Sequence, residues 1–308
     1  DGLNKVEVRE AGIGSIVAIS GIADLHIGDT LCSPDAPNAI PFQKISEPTI
    51  AMHFMVNDSP LAGQEGKYVT SRHLRDRLYR MLNTDVSLRV EDTDTTEAYK
   101  VSGRGELHLS VLIENMRREG YEFAVSKAEV LYKYDERNRR LEPMELAYID
   151  VPEEYTGVVI QKLTSRKGAL QGMSQAAGGY SRLEFSIPSR GLIGYRGDFM
   201  TDTKGNGILN TIFDGYAEYK GDIAYRQTGS LIAFEAGESI TYGLFNAQER
   251  GTLFIGPGVK VYSGMVIGQS PKAEDVEINV CKTKKLTNTR SSSADEALKL
   301  TPPKIMSL

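Results

Sequence analysis

Residues 189–207, SRGLIGYRGDFMTDTKGNG, carry five glycines, two arginines and one lysine, a composition that suits the binding of phosphate groups. Glycine-rich loops offer backbone N–H groups to phosphates, and Lys and Arg add positive charge. The chain nevertheless contains no G-x-x-x-x-G-K-[ST] sequence. The nearest match, GQEGKYVTS at 63–71, has glycines only three apart and Tyr68 where Ser or Thr is needed. The sequence therefore predicts no nucleotide site, and any phosphates facing residues 189–207 would belong to another kind of partner.

Three glycines of this stretch fall within a segment that is predicted to be a helix. Glycine in a helix interior costs roughly 1 kcal/mol relative to alanine. Gly191, Gly194 and Gly197 therefore need a physical reason. Two reasons are open at this point: close approach of a neighbouring surface, or tight packing of the helix on its own sheet.

A second group of cations lies in KTKKLTNTRSSSADE, residues 282–296. From residue 280 to 294 there is no acid, and there are four cations: Lys282, Lys284, Lys285 and Arg290. Asn288 and three consecutive serines add hydrogen-bonding groups. These residue types contact RNA phosphates and 2′-hydroxyls. The segment lacks apolar periodicity, so we expect a long exposed loop that is mobile in the free protein and either contacts RNA or is only solvated.

The other reactive side chains do not form a recognisable site. The four histidines, His26, His53, His73 and His108, are scattered singly along the chain. Cys32 and Cys281 show no metal-ligand spacing with them, and two distant cysteines suit a reducing cytoplasm better than a disulfide framework. No Ser-His-Asp or Cys-His arrangement follows from the order of residues. We therefore predict no catalytic residue and no metal site.

Composition sets the class of protein. The chain has 308 residues, of which 40% are apolar and 25% charged, with a net charge of −5. This is the profile of a soluble globular protein with two or three domains. No apolar run approaches the roughly 20 residues of a membrane-spanning helix, and no signal peptide opens the chain. Because the net charge is negative, any RNA binding must come from local basic patches.

The elements that would position these residues follow a repeated order. From Thr49 the patterns predict strand, helix, strand, strand, helix, strand, with helices near 71–83 and 105–119, Ser71 as the first N-cap and Gly120 after the second helix. The same order returns about 95 residues later, with helices near 156–167 and 191–203. VSGRGELHL at 101–109 and IPSRGLIGY at 187–195 each place Ser, Arg and Gly at the entry to the second helix. We therefore expect two ferredoxin-like (split βαβ) domains.

The flanking regions are predicted to be rich in β-structure. Residues 1 to about 40 are interpreted as short strands broken by glycine, which suits the end of a β-barrel. From about Asp214 the pattern GSLIAFEAGESITYGLF, TLFIGPGVKVYSGMVIG and VEINVCK predicts strands with glycine turns and no long helix. The expected fold class is a multidomain α+β protein: two ferredoxin-like domains followed by a β-barrel-like C-terminal domain.

Three motifs carry a family resemblance over essentially the whole chain. SGRGELHLSVLIENMRREGYEFAVS, IPSRGLIGYRGDFMT and CKTKKLTNTRSSSADEALKLTPP resemble the C-terminal half of the BipA (TypA) family of translational GTPases, and the first also resembles elongation factor G. The resemblance implies the tail of a second-domain barrel at 1–42, a domain III-like unit at 43–127, a domain V-like unit at 128–214 and a BipA-type C-terminal domain at 215–308. Asp1 opens the chain, the family's GTPase motifs are missing, and the chain stops at TPPKIMSL, where members of the family run on into a basic tail. The resemblance therefore implies a fragment truncated at both ends.

The resemblance also implies a function. Members of the family bind the ribosome at the site of the elongation factors, hydrolyse GTP there, and affect large-subunit assembly and growth under stress or cold. The implied partners are the ribosome, large-subunit rRNA and the end of the A-site tRNA, with no membrane and a cytoplasmic location. GTP and Mg would be cofactors of the full-length parent, with none in this fragment, which is not expected to bind or hydrolyse GTP.

The implied RNA contacts lie in two places. The segment 282–296 corresponds to the loop that reaches towards the peptidyl-transferase region, and the domain V-like unit would face rRNA. The expected RNA-binding residues are Lys282, Lys284, Lys285, Asn288, Arg290, Arg166, Lys167, Arg190 and Arg196. The alternative is a protein-interaction module whose basic loop binds an acidic protein partner. A steep salt dependence of binding would favour RNA.

Overall fold

The structure is a computed structural model that describes residues 6–22, 25, 27–41, 47–176, 178–223, 228–283 and 298–305. Its buried apolar side chains form three clusters, one in each of three successive units. Each unit combines helix and strand. The chain is therefore a multidomain α+β protein, as the alternation of patterns in its sequence predicts.

The first unit has the element order strand, helix, strand, strand, helix, strand, with one further short strand. Its elements are β1 (Ile50–Met55), α1 (Ser71–Met81), β2 (Arg89–Asp92), β3 (Ala98–Gly103), α2 (Glu106–Arg118), β4 (Ala124–Val125) and β5 (Glu129–Val130). The sheet order is β2-β3-β1-β4, β5 also pairs with β1, and these pairings are antiparallel. The predicted order of elements is confirmed here.

Apolar spacing and end signals explain the two helices of this unit. They bury side chains three or four residues apart: Leu74 and Leu78 in α1, and Leu109, Leu112 and Met116 in α2. The N-cap of α1 is Thr70, whose hydroxyl accepts a hydrogen bond from the N–H of His73 at 3.4 Å. The predicted cap, Ser71, instead donates its hydroxyl to the carbonyl of Thr96. Gly120 follows α2 with a φ of 93°, the left-handed conformation that favours glycine after a helix.

The second unit repeats this order with longer strands. Its elements are β6 (Lys133–Tyr134), β7 (Arg140–Pro152), a 3-10 turn (Glu153–Tyr155), α3 (Thr156–Ser165), β8 (Ala169–Ala176), β9 (Tyr180–Pro188), α4 (Ser189–Leu192), α5 (Tyr195–Asp202) and β10 (Ile208–Glu218). The sheet order is β10-β7-β9-β8, with β6 also on β7 and all pairings antiparallel. Because β10 pairs with β7 as far as Glu218, this sheet extends past the boundary expected at 214.

The helix predicted at 191–203 is in fact two helices. α4 ends at Leu192, and α5 begins at Tyr195 after Gly194, whose φ of 70° is incompatible with a continuous right-handed helix. Two of the three glycines that needed a reason are explained within the chain. Gly194 supplies this turn, and a Cβ on Gly191 would lie 2.6 Å from the carbonyl oxygen of Arg166. A Cβ on Gly197 would meet no atom within 4 Å, so its own chain does not require a glycine there.

The third unit is less regular than predicted. Its elements are β11 (Ser230–Ala233), β12 (Gly237–Glu238), α6 (Thr241–Gln248), β13 (Thr252–Leu253), β14 (Lys260–Val261), β15 (Val266–Gln269) and β16 (Val276–Ile278). They form a four-stranded sheet, β13-β15-β11-β16, and a two-stranded sheet, β12-β14, and the described residues contain no closed barrel.

The prediction of strands with glycine turns at 229–245 is confirmed for β11 and β12 and wrong for the end of the stretch, which contains most of α6. The alternation of Ile240, Tyr242 and Leu244 resembles a strand. The helix forms because it buries Leu244 and Ala247, three residues apart, in the core of the third unit. Tertiary packing thus overrides the local pattern.

The strands predicted for the N-terminal region are also absent, since none of the described positions in 6–41 lies in a strand or helix. Ile13 and Ile16 are fully exposed there. Short strands are stable only when further strands pair with them and cover their apolar face, and these described positions have no such neighbours. Within the described part of the chain, no helix has the length and apolar character needed to cross a bilayer.

Candidate nucleic-acid interface

The end of α3 places two of the predicted RNA-binding residues side by side. Arg166 follows the helix, and Lys167 has a φ of 68°. The N–H of Lys167 donates to the carbonyl of Thr164 at 3.0 Å, and that of Gly168 to the carbonyl of Leu163 at 2.9 Å. This is the hydrogen-bond pattern of a Schellman motif. It leaves Lys167 exposed at a helix C-terminus, where positive charge is favourable.

Arg166 is held against its own unit. One guanidinium nitrogen donates to the carbonyls of Gly191 at 3.1 Å and Ile193 at 3.2 Å, and another donates to the carboxylate of Asp198 at 3.0 Å. The side chain is 20% exposed. Arg166 therefore joins the end of α3 to the turn between α4 and α5, and little of its guanidinium faces solvent.

Arg190 is buried, which contradicts its expected place on an RNA-binding surface. The side chain of Arg190 is 5% exposed and that of its ion-pair partner Glu142 is 0% exposed. The guanidinium also donates to the carbonyl of Gly221 and lies 4.4 Å from the centre of the Tyr219 ring. The backbone N–H of Lys220 donates to the same Glu142 carboxylate at 2.8 Å. Arg190 thus ties α4 to β7 and to the chain after β10.

Two other predicted residues do lie at the surface. Arg196, in the first turn of α5, is exposed, and its guanidinium makes a long 3.5 Å hydrogen bond to the carbonyl of Leu209. Lys282 is exposed after the third unit. Lys284, Lys285, Asn288 and Arg290 lie outside the described residues. The expectation of a mobile loop at 282–296 therefore remains a prediction for 284–296.

One exposed cation of this region is not among the residues predicted from the sequence. Lys204 follows α5 with a φ of 50°, and its ammonium group lies 5.8 Å from the centre of the Tyr155 ring. Its position just before Gly205, at a predicted helix end, was a signal that could have identified it. The neighbouring Lys162 is instead paired with Asp202 at 2.7 Å. The α3–α5 surface, meaning the exposed parts of α3, α5 and the residues that flank them, thus carries three exposed cations. Lys167 and Arg196 lie on either side of the turn between α4 and α5, and Lys204 lies beside Tyr155, just before α3.

The loop that most resembles a phosphate loop holds one of the chain's own carboxylates. Glu122 accepts backbone hydrogen bonds from Gly63 at 2.7 Å and from Glu65 and Gly66 at 3.0 Å each, and a side-chain hydrogen bond from Asn57 at 2.8 Å. The three backbone donors are the main reason that the pKa of Glu122 falls to about 2. The N–H groups of this loop are therefore already bound to an anion, and these residues do not fit a nucleotide phosphate.

His108 has a structural partner. Its Nε2 lies 2.6 Å from a carboxylate oxygen of Asp85, and its Nδ1 accepts a hydrogen bond from the backbone N–H of Arg104 at 3.3 Å. Burial acts to raise the pKa of Asp85, but hydrogen bonds from Ser87 and His108 outweigh it and hold the pKa below its ordinary value. Among the described residues, no group of three or more His, Cys, Asp and Glu could hold a metal ion.

Comparison with known proteins follows the division into units. The family model of elongation factor G domain III matches residues 67–127, that of the elongation factor G C-terminus matches 139–227, and that of the TypA/BipA C-terminal domain matches 228–308. A crystal structure from Thermus thermophilus covers 61% of this chain and 44% of its own at 16% identity, with a TM-score of 0.35, which is too low to support an argument.

The curated relatives match the chain from end to end. The chain is 52% identical over 308 residues to a protein of Synechocystis sp. (strain ATCC 27184 / PCC 6803 / Kazusa) and 48% identical to one of Bacillus subtilis (strain 168). Both relatives are named large ribosomal subunit assembly factor BipA. The alignments cover 100% of this chain and 51% and 50% of those relatives, so the chain spans about half their length. Since these matches and the TypA/BipA C-terminal model agree, the chain belongs to the TypA/BipA family.

Proposed function

We propose that this chain binds the ribosome through RNA of the large subunit and is the ribosome-contacting part of a translational GTPase. The whole protein would act in large-subunit assembly and in growth under stress or cold, in the cytoplasm. The observation that carries the proposal is the 52% identity over the whole chain to a relative named as a large ribosomal subunit assembly factor. The exposed cations of the α3–α5 surface supply chemistry that RNA phosphates would need.

The proposed RNA interface has two parts. On the second unit it consists of Lys167 and Arg196, with Lys204 added and the buried Arg190 left out. Arg166 contributes by positioning the turn beside Arg196. The other part is the basic segment, with Lys282, Lys284, Lys285, Asn288 and Arg290, which would reach towards the end of the A-site tRNA.

We also propose a finer description of the fold. The first and second units are ferredoxin-like, because each packs helices on an antiparallel sheet. In the first unit α1 and α2 accompany a sheet with β1 in its interior. In the second unit α3 and the α4–α5 pair accompany a sheet with β7 in its interior. They correspond to the units expected at 43–127 and 128–214. Residues 1–42, whose described positions contain no strand here, would be the tail of a second-domain barrel that forms only with its other strands. The β-rich C-terminal domain expected at 215–308 would begin after β10, which ends at Glu218.

GTP binding and hydrolysis would belong to the part of the relatives that this chain does not match. The sequence has no G-x-x-x-x-G-K-[ST] motif, and the closest loop holds Glu122. We therefore expect no guanine-nucleotide affinity in titration calorimetry with GTP and Mg²⁺. Measurable affinity would contradict this assignment of the GTPase activity.

Salt-dependent binding to purified large ribosomal subunits tests the proposed function. The chain should co-sediment with the subunits, and its affinity should fall steeply as salt rises, because phosphate contacts release counterions. The variant Lys167→Ala/Arg196→Ala should bind more weakly. The slope of log affinity against log salt should flatten by about 0.7 to 0.9 for each phosphate contact that is lost.

A charge-matched control separates this site from a general effect of charge. Arg72→Ala/Arg118→Ala removes two exposed cations, 90% and 74% accessible, from the helices of the first unit. It should leave binding to large subunits and its salt slope nearly unchanged. Equal losses of affinity for large subunits in the two double variants would contradict a specific contact by the α3–α5 surface. Binding that depends little on salt and persists after removal of rRNA would instead support the protein-interaction module with an acidic partner.

A further inference from the structure

The turn between α4 and α5 of the second unit reaches the first unit. The backbone N–H of Gly194 donates to both carboxylate oxygens of Glu106, at 3.2 and 3.1 Å. Glu106 is the first residue of α2 in the first unit. The adjacent Ile193 is partly buried and packs against the core cluster of the first unit rather than its own. A polar and an apolar contact therefore join the two units at the same turn.

The second unit holds this turn rigidly in place. Gly194 supplies the left-handed backbone that turns the chain, with a φ of 70°. Arg166 donates to the carbonyls of Gly191 and Ile193 and so fixes the turn to the end of α3. α4 also packs closely on the end of α3, since a Cβ on Gly191 would lie 2.6 Å from the carbonyl oxygen of Arg166. Contacts within the second unit therefore support the conformation that presents Ile193 and the N–H of Gly194 to the first unit.

The surrounding interface is open. A cavity of about 460 Å³ lies beside the turn, and Ile193 lines it together with Ala128, Val130, Tyr219 and Ile223. This cavity interrupts the packing between the two units beside the turn. The turn is therefore one of a small set of described contacts that join them, together with the ion pair between Lys133 and Glu47 at 2.7 Å. Interfaces between domains of one chain allow relative motion unless they are large and apolar.

We propose that the Ile193–Gly194 turn is a latch that fixes the orientation of the second unit on the first. Ile193 and Glu106 make the contact, and Arg166 is a positioning residue that holds the turn in its latching conformation. Releasing the latch would let the second unit, with its exposed cations, rotate as a body about the chain segment that joins the units. The inference rests on these contacts alone and does not depend on the proposed function.

A distance measurement between the two units tests the latch. In a background in which Cys32 and Cys281 are changed to Ser, spin labels are attached at Arg72→Cys on α1 and Gln161→Cys on α3, both exposed positions. Double electron–electron resonance should give one narrow distance distribution. Glu106→Ala should broaden it, and Glu106→Ala/Ile193→Ala should broaden it further or split it. Glu106→Gln, which keeps an acceptor oxygen, should retain most of the narrow component.

A matched control and a check of folding complete the experiment. Glu153→Ala/Ile212→Ala removes the same side-chain types from exposed positions of the second unit and should leave the distribution narrow. Circular dichroism verifies that each variant keeps its secondary structure. If Glu106→Ala/Ile193→Ala does not fold, Glu106→Ala alone decides, because Glu106 is exposed and contributes nothing to a core. The latch would be overturned if the distance distributions of Glu106→Ala and of the folded double variant were as narrow as that of the control.

Discussion

Replacing Arg190 with alanine tests whether this residue belongs to the core of the second unit rather than to an RNA-binding surface. The change removes both guanidinium hydrogen bonds to Glu142, whose side chain is 0% exposed. It leaves the carboxylate buried with the N–H of Lys220 as a remaining donor at 2.8 Å. It also removes the contact with the Tyr219 ring.

The size of the expected loss of stability follows from the burial of the Arg190–Glu142 ion pair. Removing one partner of a buried ion pair costs about 3 to 5 kcal/mol, because the other charge stays in a poorly solvated place. Since Lys220 still satisfies one oxygen, we expect the lower end, about 3 kcal/mol. For a unit of this size, 1 kcal/mol corresponds to about 4 to 8 °C in melting temperature. The transition of the second unit should therefore fall by more than about 10 °C in differential scanning calorimetry.

Two further variants make the result specific. Arg196→Ala removes an exposed arginine with one long hydrogen bond and should change stability by less than about 0.5 kcal/mol. Adding Glu142→Gln to Arg190→Ala removes the unpaired buried charge and should restore part of the lost stability. If Arg190→Ala and Arg196→Ala have the same melting temperature, the reasoning is refuted, and Arg190 again becomes a candidate for the RNA-binding surface.

The remaining predictions concern three other regions of the chain. Glu122→Gln should lower stability at pH 7 by about 1 kcal/mol after allowance for solvent screening. Because folding lowers the pKa of Glu122 from 4.5 to about 2, the parent should lose this contribution as the pH falls through that interval, and the variant should lack that part of the pH dependence in urea unfolding. Gly197→Ala should stabilise the protein by about 0.5 to 1 kcal/mol in thermal melts, since the position is helical and open, whereas Gly194→Ala should destabilise it because of its φ of 70°. A lower melting temperature for Gly197→Ala would show that the helix does not tolerate a side chain there. A quadruple alanine variant of the basic segment should keep the parent's melting temperature and weaken ribosome binding with a flatter salt slope; the residues changed are Lys282, Lys284, Lys285 and Arg290. Wild-type affinity and slope in the quadruple variant would contradict an RNA contact by this segment.

Local signals made much of the fold predictable. The helices α1, α2 and α3 follow from apolar residues three and four positions apart and from end signals such as Gly120. Contacts between distant residues account for the errors. α6 forms because Leu244 and Ala247 find a core that the local sequence does not reveal. The helix expected at 191–203 breaks at Gly194, which has a left-handed φ of 70°. Arg166 donates to the carbonyls of Gly191 and Ile193 at this turn, from 25 and 27 residues away in sequence.

The candidate site shows the same limit. Exposure of Lys167 and Arg196 could be expected from residue type, since cations lie mostly at the surface. The burial of Arg190 could not be predicted from the sequence, because its partner Glu142 lies 48 residues away. The binding of Glu122 to residues 63–66 is likewise a contact between distant segments, which no motif announces.

Directed hydroxyl-radical cleavage of rRNA tests most directly whether the proposed surfaces lie against large-subunit RNA. An iron chelate is attached to a single cysteine at Lys167→Cys or Lys282→Cys after Cys32 and Cys281 are changed to Ser, and the labelled chain is bound to purified large subunits. A chelate at Ile208→Cys, an exposed position on β10, is the control. We expect localised rRNA cleavage from the first two positions and much weaker cleavage from the control. The account would be contradicted if, in the bound chain, chelates at Lys167→Cys and Lys282→Cys cleaved rRNA no more strongly than the chelate at Ile208→Cys.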